Sequence, residues 1–316
     1  MGVEFEIVLY AAEEALATAA MDRAFARIAE LDRVMSDYDA ASELSRLSET
    51  SSVPPGTPTL DPPASAVPIK VSNDLWNVLA WSQDLSRDSG GAFDVTVGPL
   101  TKLWRRARRQ NELPAPDRLA EARAAVGYAS LKLEHQTRTV QLTRANMRLD
   151  LGGVAKGLAA DEALAEIKRS GIPRALVRAS GDIAVGDPPP GETGWRIGIA
   201  PLDPDDPPTT FVRLANAAIS TSGDSRQHLE IAGRRYSHII DPRTGLGVSG
   251  RSSVSVIATS GREADAVATA VSVLGPEAGL ALIEQRNEVE LLMVHADHRG
   301  EERTVQSAGF SRFLDK

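Results

Sequence analysis

The sequence predicts an α+β fold with mixed, mainly antiparallel sheets and flanking helices. Short segments rich in alternating or β-branched apolar residues form groups between residues 175 and 259. Gly233 separates two of these segments, as expected for a hairpin. Longer segments with helical spacing of apolar residues lie between the groups, whereas a doubly wound sheet would alternate single strands with single helices.

The first half of the chain begins with a predicted strand at residues 3–9, where charged and apolar side chains alternate. A helix is predicted over residues 11–35 from an apolar stripe at steps of three and four, formed by Met21, Phe25, Ile28, Leu31 and Met35. The following segments are a Pro/Ser-rich loop at about 48–68, a helix at 72–87, a strand or loop at 91–100 and three short strands between 128 and 151.

In the second half, a helix is predicted from Val154 to near Gly171. Strands are predicted at 175–186, 195–200, 211–219, 227–232, 235–240, 252–259 and 289–295. Ser260 and Glu263 form a capping box for a helix to about Leu274, and another helix follows Pro276. We expect one domain over residues 1–316 that ends in a short tail at about 300–316.

Composition excludes several classes of function. The 316 residues include no cysteine, which excludes a disulfide scaffold, a thiolate zinc site and a cysteine nucleophile. A net charge of −8 and 4% aromatic residues argue against nucleic acid as a partner. No apolar run is long enough to span a membrane, and MGVEFEIVLY does not read as a signal peptide. We therefore expect a cytoplasmic protein as written, or an exported one if a leader was removed.

Two segments contain residue types suited to phosphate and metal chemistry. In LDLGGVAKG, residues 149–157, a strand leads through two glycines into a helix, and Lys156 in its first turn would suit a phosphate. A plain strand–turn–helix joint with Lys156 in solvent is the alternative. In ADAVATA, Asp265 and Thr269 share one helix face and offer oxygen ligands for Mg²⁺, although a dipole contact and simple packing also explain them.

Three further positions are candidates for a site. His238 in YSHIIDPRTG is a candidate base or phosphate ligand, with a structural histidine as the alternative. Asp182 follows Ser-Gly at a predicted bulge or turn. Asp94 lies among apolar residues and must find a partner or face a cleft. A basic run is interpreted as a solvated helix face, with a phosphate or partner contact as the alternative; it comprises Arg105, Arg106, Arg108 and Arg109.

The order of seven segments resembles the ApbE family, the FAD:protein FMN transferases. These segments are MSDYDAASELSRLS, GAFDVTVGPL, LDLGGVAKG, SGDIAVG, ISTSGD, YSHIIDPRTG and ADAVATAVSVLG. The resemblance covers about residues 1–295 and implies an ApbE-like fold with the active site in a cleft between sub-regions. Ser48 and Ser180 depart from the family pattern, which commonly has Asn and Gly there, and this puts local loop hydrogen bonding in doubt.

The resemblance implies that FAD is a substrate bound with Mg²⁺, or alternatively Mn²⁺. A Ser or Thr hydroxyl of an acceptor flavoprotein attacks the FMN phosphorus, and AMP leaves. The implied metal ligands are Asp265, Thr269 and the backbone carbonyl of Gly153. FAD pyrophosphatase activity and flavin binding or storage without turnover are the alternatives.

The resemblance also assigns flavin-nucleotide contacts, which are Met35, Ala92, Phe93, Asp94, Lys156 and Ile239. Asp182 is implied near the adenosine or the reacting phosphate. His238 corresponds to a family histidine beside the flavin phosphate, and we hypothesise that it activates or positions the attacking hydroxyl.

Overall fold

The computed structural model describes residues 2–54, 67–203, 205–223, 227–231, 233–296 and 300–315. Residues 55–66 of the predicted Pro/Ser-rich loop and residues 224–226 lie outside the described residues. Contacts divide the chain into two compact units. Unit 1 comprises Met1–Glu30, Val154–Arg226 and Gly250–Lys316, and unit 2 comprises Leu31–Gly153 and Gln227–Ser249. The expectation of one domain over residues 1–316 remains a prediction.

Helices and strands occur in mixed order along the described residues, and two of the helices, at residues 43–49 and 116–124, are not among the predicted elements. The helices are α1 (Glu14–Met35), α2 (Glu43–Glu49), α3 (Asn73–Asp88), α4 (Gly98–Gln110), α5 (Pro116–Ala124), α6 (Ala155–Arg169), α7 (Gly261–Leu274) and α8 (Pro276–Glu284). The strands are β1 (Phe5–Leu9), β2 (Ile69–Lys70), β3 (Leu131–Glu134), β4 (Thr139–Leu142), β5 (Ala175–Ala179), β6 (Asp182–Val185), β7 (Trp195–Gly198), β8 (Phe211–Leu214), β9 (Ala217–Gly223), β10 (His228–Ile231), β11 (Arg234–Ser237), β12 (Ser252–Ala258), β13 (Glu290–Ala296) and β14 (Glu302–Gln306). Two short 3₁₀ helices span Tyr128–Ser130 and Phe310–Phe313.

Unit 1 is built on an antiparallel sheet with the strand order β1-β5-β6-β9-β12-β13-β14. Helix α6 packs against β5 and β6, α7 packs against β9 and β12, and the two helices contact each other. Side chains alternate between the two faces of a strand, so half of them point away from α6 and α7. On that second face of the sheet, the apolar side chains form a separate cluster, which includes Leu176, Ile183, Trp195 and Phe310. Both faces of the sheet are therefore covered, and the strand segments are largely buried.

Unit 2 contains the small sheet β2-β4-β3 and the hairpin β10–β11. Its helix α4 packs through Leu100 and Trp104 into an apolar cluster with Tyr236 of the hairpin. The Trp104 Nε1–H donates to the Gly245 carbonyl at 2.8 Å, which satisfies the buried indole. Unit 2 also contains the segment that precedes α6 and the segment that follows β11.

Several predicted elements are confirmed together with their ends. Ser72 caps α3 by accepting from the Leu75 amide, and Ser260 caps α7 by accepting from the Glu263 amide. Gly171 has a φ of +80° just after α6, as expected for the residue that ends a helix. The α+β class with mainly antiparallel sheets is also confirmed.

Other expectations are wrong in detail. Phe25 of the predicted α1 stripe is 43% exposed, because Ala20 and Ala24 occupy the inward positions of that helix. Residues 149–151 form no strand, since β2 takes the third place beside β4. The predicted tail at 300–316 contains β14, which pairs with β13 and extends the main sheet. Within the described residues, no helix is both long and apolar enough to cross a membrane.

Candidate active site

Three charged side chains that are distant in the sequence meet at the start of α6 in unit 1. The Lys156 ammonium lies 3.1 Å from both carboxylate oxygens of Asp265 and 3.3 Å from Asp182 Oδ2. Asp265 and Asp182 are almost completely buried, at 1% and 3% exposure. Lys156 remains partly exposed. The predicted solvated alternative for Lys156 is wrong, because its ammonium pairs with both carboxylates.

Local structure explains how each member reaches this cluster. Lys156 lies in the first turn of α6, and Asp265 lies one turn into α7, which packs beside α6. Asp182 begins β6 after a tight turn at Ser180 and Gly181, so the turn predicted there is confirmed. Ser180 has a φ of +59°, a conformation that glycine adopts more easily.

Hydrogen bonds hold both carboxylates in place. The Gly157 amide donates to Asp265 Oδ2 at 3.1 Å, and the Ser220 hydroxyl donates to Asp182 Oδ1 at 2.5 Å. Ser220 lies opposite Asp182 in the β6–β9 ladder, so the sheet register itself supplies this partner. Sequence reasoning missed Ser220, since only strand pairing identifies it.

The cluster brings opposite charges together where both carboxyl groups are buried. Burial raises the pKa of Asp265 to about 7, with the Asp182 charge adding to this effect and the Lys156 ammonium opposing it. Burial alone would lower the pKa of Lys156, but the charges of Asp182 and Asp265 outweigh burial, so its pKa is raised. Lys156 therefore stays charged beside two carboxylates that share it.

The donor set fits a hard divalent cation. Asp265 and Thr269 lie one helical turn apart on α7, and Thr269 is partly exposed. A carboxylate and a hydroxyl are oxygen ligands of the kind that Mg²⁺ accepts, with few protein ligands and the rest supplied by water and phosphate. Among the described residues, no group of three or more His, Asp or Glu side chains forms a metal cage.

His238 and Ile239 lie in unit 2, directly after β11. The Nδ1 of His238 lies 3.1 Å from the Gln227 backbone carbonyl, and the His238 amide donates to the same oxygen at 3.1 Å. Because a carbonyl oxygen can only accept, this contact favours the tautomer with the proton on Nδ1. Nε2 then carries the lone pair, and His238 is exposed.

The predicted flavin contacts Met35, Ala92, Phe93 and Asp94 are buried in unit 2, with exposures between 1% and 6%. Asp94 Oδ1 accepts from the amide and hydroxyl of Thr96, and Oδ2 accepts from the Tyr128 amide. Asp94 was expected either to find a partner or to face a cleft, and the structure shows that it has hydrogen-bond partners within the protein. Contact of these four residues with a flavin nucleotide remains a prediction.

Gly153 lies in a turn that a second group of charges stabilises. Asp150 Oδ1 accepts from the Gly152 amide at 2.8 Å, while Asp150 Oδ2 accepts from Arg105 at 3.1 Å. Arg105 also pairs with the buried Asp37. The interpretation of Arg105 as part of a solvated face is therefore wrong, because it bridges two buried carboxylates. Asp150 stands two residues before Gly152 in a typical Asx-turn position, and this spacing could have identified it.

Comparison with known proteins identifies a family to which the sequence is similar. The sequence profile of the ApbE family matches residues 1–293. The FAD:protein FMN transferase of Haemophilus influenzae is 31% identical over 277 residues, which cover 84% of this chain and 75% of that protein. The enzyme of the same name from Vibrio cholerae is 32% identical over 291 residues, covering 91% and 82%.

Solved structures show the same similarity. The flavin transferase ApbE from Vibrio cholerae superposes with a TM-score of 0.83 at 30% identity and covers 99% of this chain and 96% of that chain. The ApbE protein from Thermotoga maritima gives a TM-score of 0.84 at 25% identity and covers 100% and 97%. The chain therefore belongs to the ApbE family.

Proposed function

We propose that this chain is an FAD:protein FMN transferase that moves FMN from FAD to a Ser or Thr hydroxyl of an acceptor flavoprotein. The observation that carries the proposal is the buried cluster in which Asp182 and Asp265 share the Lys156 ammonium. Membership of the ApbE family and the names of its relatives support the same reaction. We further propose that the reaction depends on Mg²⁺ and releases AMP.

In the proposed reaction, the acceptor oxygen forms a bond to the FMN phosphorus, and the bond from that phosphorus to the oxygen bridging to AMP breaks. The hydroxyl proton passes to His238 Nε2, because Nδ1 is engaged with the Gln227 carbonyl. AMP leaves with the bridging oxygen. The reaction consumes FAD at its phosphates, so no redox step is required.

Asp265 and Thr269 would hold the metal in this proposal. When bound, Mg²⁺ neutralises pyrophosphate charge and stabilises the leaving phosphate. Lys156 would contribute a fixed positive charge to phosphate oxygens, as its position in the first turn of α6 permits. Asp182, which accepts from Ser220, would keep Lys156 oriented.

The test combines FAD, Mg²⁺ and a candidate acceptor with wild-type protein, D265A and H238A. Intact mass spectrometry of the acceptor and chromatography of released AMP are measured together. We expect a mass gain of one FMN moiety, equal to the AMP released, and a loss of at least about 100-fold in both with D265A. H238A should lose transfer while it still binds FAD.

Two other outcomes would contradict the proposal. AMP release without any mass gain on acceptors that carry a flavinylation motif would identify an FAD pyrophosphatase. FAD binding without AMP release in the wild type would identify a flavin-binding protein.

A further inference from the structure

Helices α6 and α7 of unit 1 exchange carboxylate–amide hydrogen bonds in opposite directions. Asp265 of α7 accepts from the Gly157 amide of α6 at 3.1 Å. In return, Asp161 of α6 accepts from two successive amides of α7, Gly261 at 2.6 Å and Arg262 at 2.9 Å. Gly157 and Asp161 are four residues apart on α6, as Gly261 and Asp265 are on α7, so the three bonds lie on the faces where the helices meet.

The backbones of the two helices touch at this crossing. A Cβ atom at Gly157 would lie 2.0 Å from the Gly261 carbonyl oxygen and 2.9 Å from Asp265 Cβ. A Cβ atom at Gly261 would lie 2.6 Å from the Gly157 carbonyl oxygen. The glycines therefore fix how closely the helices approach, and their amides donate the hydrogen bonds to Asp265 and Asp161.

The start of α7 has two different sources of hydrogen-bond acceptors. Ser260 accepts from the Glu263 amide at 3.3 Å, and it belongs to the same chain segment as α7. It would accompany any rotation or shift of that helix. Asp161 belongs to α6, so its two bonds resist a movement of α7 relative to α6 in a way that Ser260 does not.

We propose that Asp161 is a positioning residue that holds α7 in the rotation and register needed to place Asp265 beside the first turn of α6. Thr269, one turn further along α7, is positioned by the same constraint. The inference rests on the proposed function, in which Asp265 and Thr269 hold the divalent cation. Asp161 itself contacts neither substrate nor metal in this scheme.

The test measures Mn²⁺ binding by electron paramagnetic resonance in the absence of FAD, for wild type, D161N, S260A and D265N. S260A is the matched control, since it removes an acceptor from the same helix end without disconnecting α6 from α7. We expect D161N to weaken Mn²⁺ binding by at least about tenfold, which is a common effect of replacing a residue that positions a metal ligand. S260A should change the Mn²⁺ affinity by less than about threefold. D161A, which retains no acceptor, should lose more than D161N.

Hydrogen exchange of the Gly157 amide in metal-free protein gives a second measurement. Asp265 accepts from this amide, so a displaced Asp265 should speed its exchange in D161N and not in S260A. All variants are compared at the same interval below their melting temperatures. If D161N does not fold, D161E preserves the charge and provides the same comparison.

The outcomes separate the two proposals. Equal Mn²⁺ affinity and equal Gly157 exchange in D161N and S260A would overturn the positioning role while D265N still loses the metal. Unchanged Mn²⁺ affinity in D265N would overturn the metal site of the proposed function, and the positioning role would fall with it.

Discussion

Lys156 is the positive member of a cluster whose two carboxylates are buried. Replacing it with Met should leave Asp182 and Asp265 facing each other without a counter-ion, which typically costs several kcal/mol for a buried pair. We predict that K156M lowers the melting temperature and that Mn²⁺ raises it more in K156M than in wild type. Differential scanning fluorimetry with and without Mn²⁺ measures this.

K168M is the control for that experiment, because Lys168 lies on the same helix and is exposed. It should show the wild-type response to Mn²⁺. A K156M protein as stable as wild type in the absence of metal would contradict the assignment of Lys156 as the counter-ion.

Ser180 adopts a left-handed backbone conformation in the turn between β5 and β6. A side chain there is strained by roughly 1 kcal/mol relative to glycine, and the Ser180 side chain is exposed. We predict that S180G raises the free energy of unfolding by about 0.5–1 kcal/mol, as measured by urea denaturation. A loss of stability would mean that the entropy of the unfolded glycine outweighs the strain.

Some contacts of single residues can be predicted from the sequence, and others cannot. The requirement that Asp94 find a partner followed from its apolar neighbours, and Thr96 and Tyr128 meet it. The identity of Tyr128 as a donor was beyond prediction, since it depends on how the segment at residues 126–130 folds back. The ion pairs of Arg105 could not be predicted from its own helix, where the neighbouring residues are also basic. Its partners, Asp37 and Asp150, lie far away in the sequence.

At the scale of elements, the crossing of α6 and α7 tolerates no side chain at Gly157. Because the added methyl group would meet backbone atoms of Gly261, which cannot move independently of α7, G157A should cost about 2–3 kcal/mol or more. G279A on α8 is the comparison, since the atoms nearest to its methyl group would belong to the Val271 side chain and not to a backbone. Urea denaturation should show a clearly larger loss for G157A than for G279A.

The C-terminal segment is attached to the β7–β8 hairpin through Asp315. Its carboxylate accepts from Arg213 at 2.9 Å and from Arg196 at 2.6 Å, and its amide donates to the Phe211 carbonyl. The Arg213 hydrogen bond, followed by that of Arg196, lowers the pKa of Asp315 below its ordinary value of 3.8. This stabilisation is complete above pH 3.8 and is lost as the pH falls through the lower, folded-state pKa.

We therefore predict that wild type is more stable than D315N near pH 7 and that the difference shrinks as the pH falls below about 4. Urea denaturation across this range measures it, with D206N as a control at an exposed aspartate. A difference that grows on acidification would contradict the lowered pKa.

Elements whose ends are set by neighbouring residues in the sequence could be predicted. Strands that form only by pairing with a distant strand could not. The capping serine of α7, the hairpin around Gly233 and the glycine after α6 all act through neighbouring residues. By contrast, β14 is a polar edge strand, with residues Glu302 and Arg303 that resemble a solvated tail. Its place beside β13 is decided by pairing with a strand already in the sheet.

At the scale of the whole molecule, the order of short motifs along the chain predicts the ApbE family, and the family profile matches residues 1–293. The motifs did not predict that Lys156, Asp182 and Asp265 meet. These residues lie far apart in the sequence, and each spacing taken alone had an ordinary structural explanation. Their convergence follows from the strand order of unit 1, which brings β6 beside β9 and lets α6 and α7 pack on neighbouring strands.

The same strand order constrains how the protein is made. The opening strand β1 pairs with β5, and α1 packs onto unit 1 through contacts such as Arg27 with Glu162. During synthesis, these first residues leave the ribosome long before their partners exist, and all of unit 2 up to Gly153 emerges in between. The edge of β1 and the apolar face of α1 therefore stay exposed until β5 and α6 have been synthesised. During that time, chaperones can bind them, or they can pair wrongly with another chain.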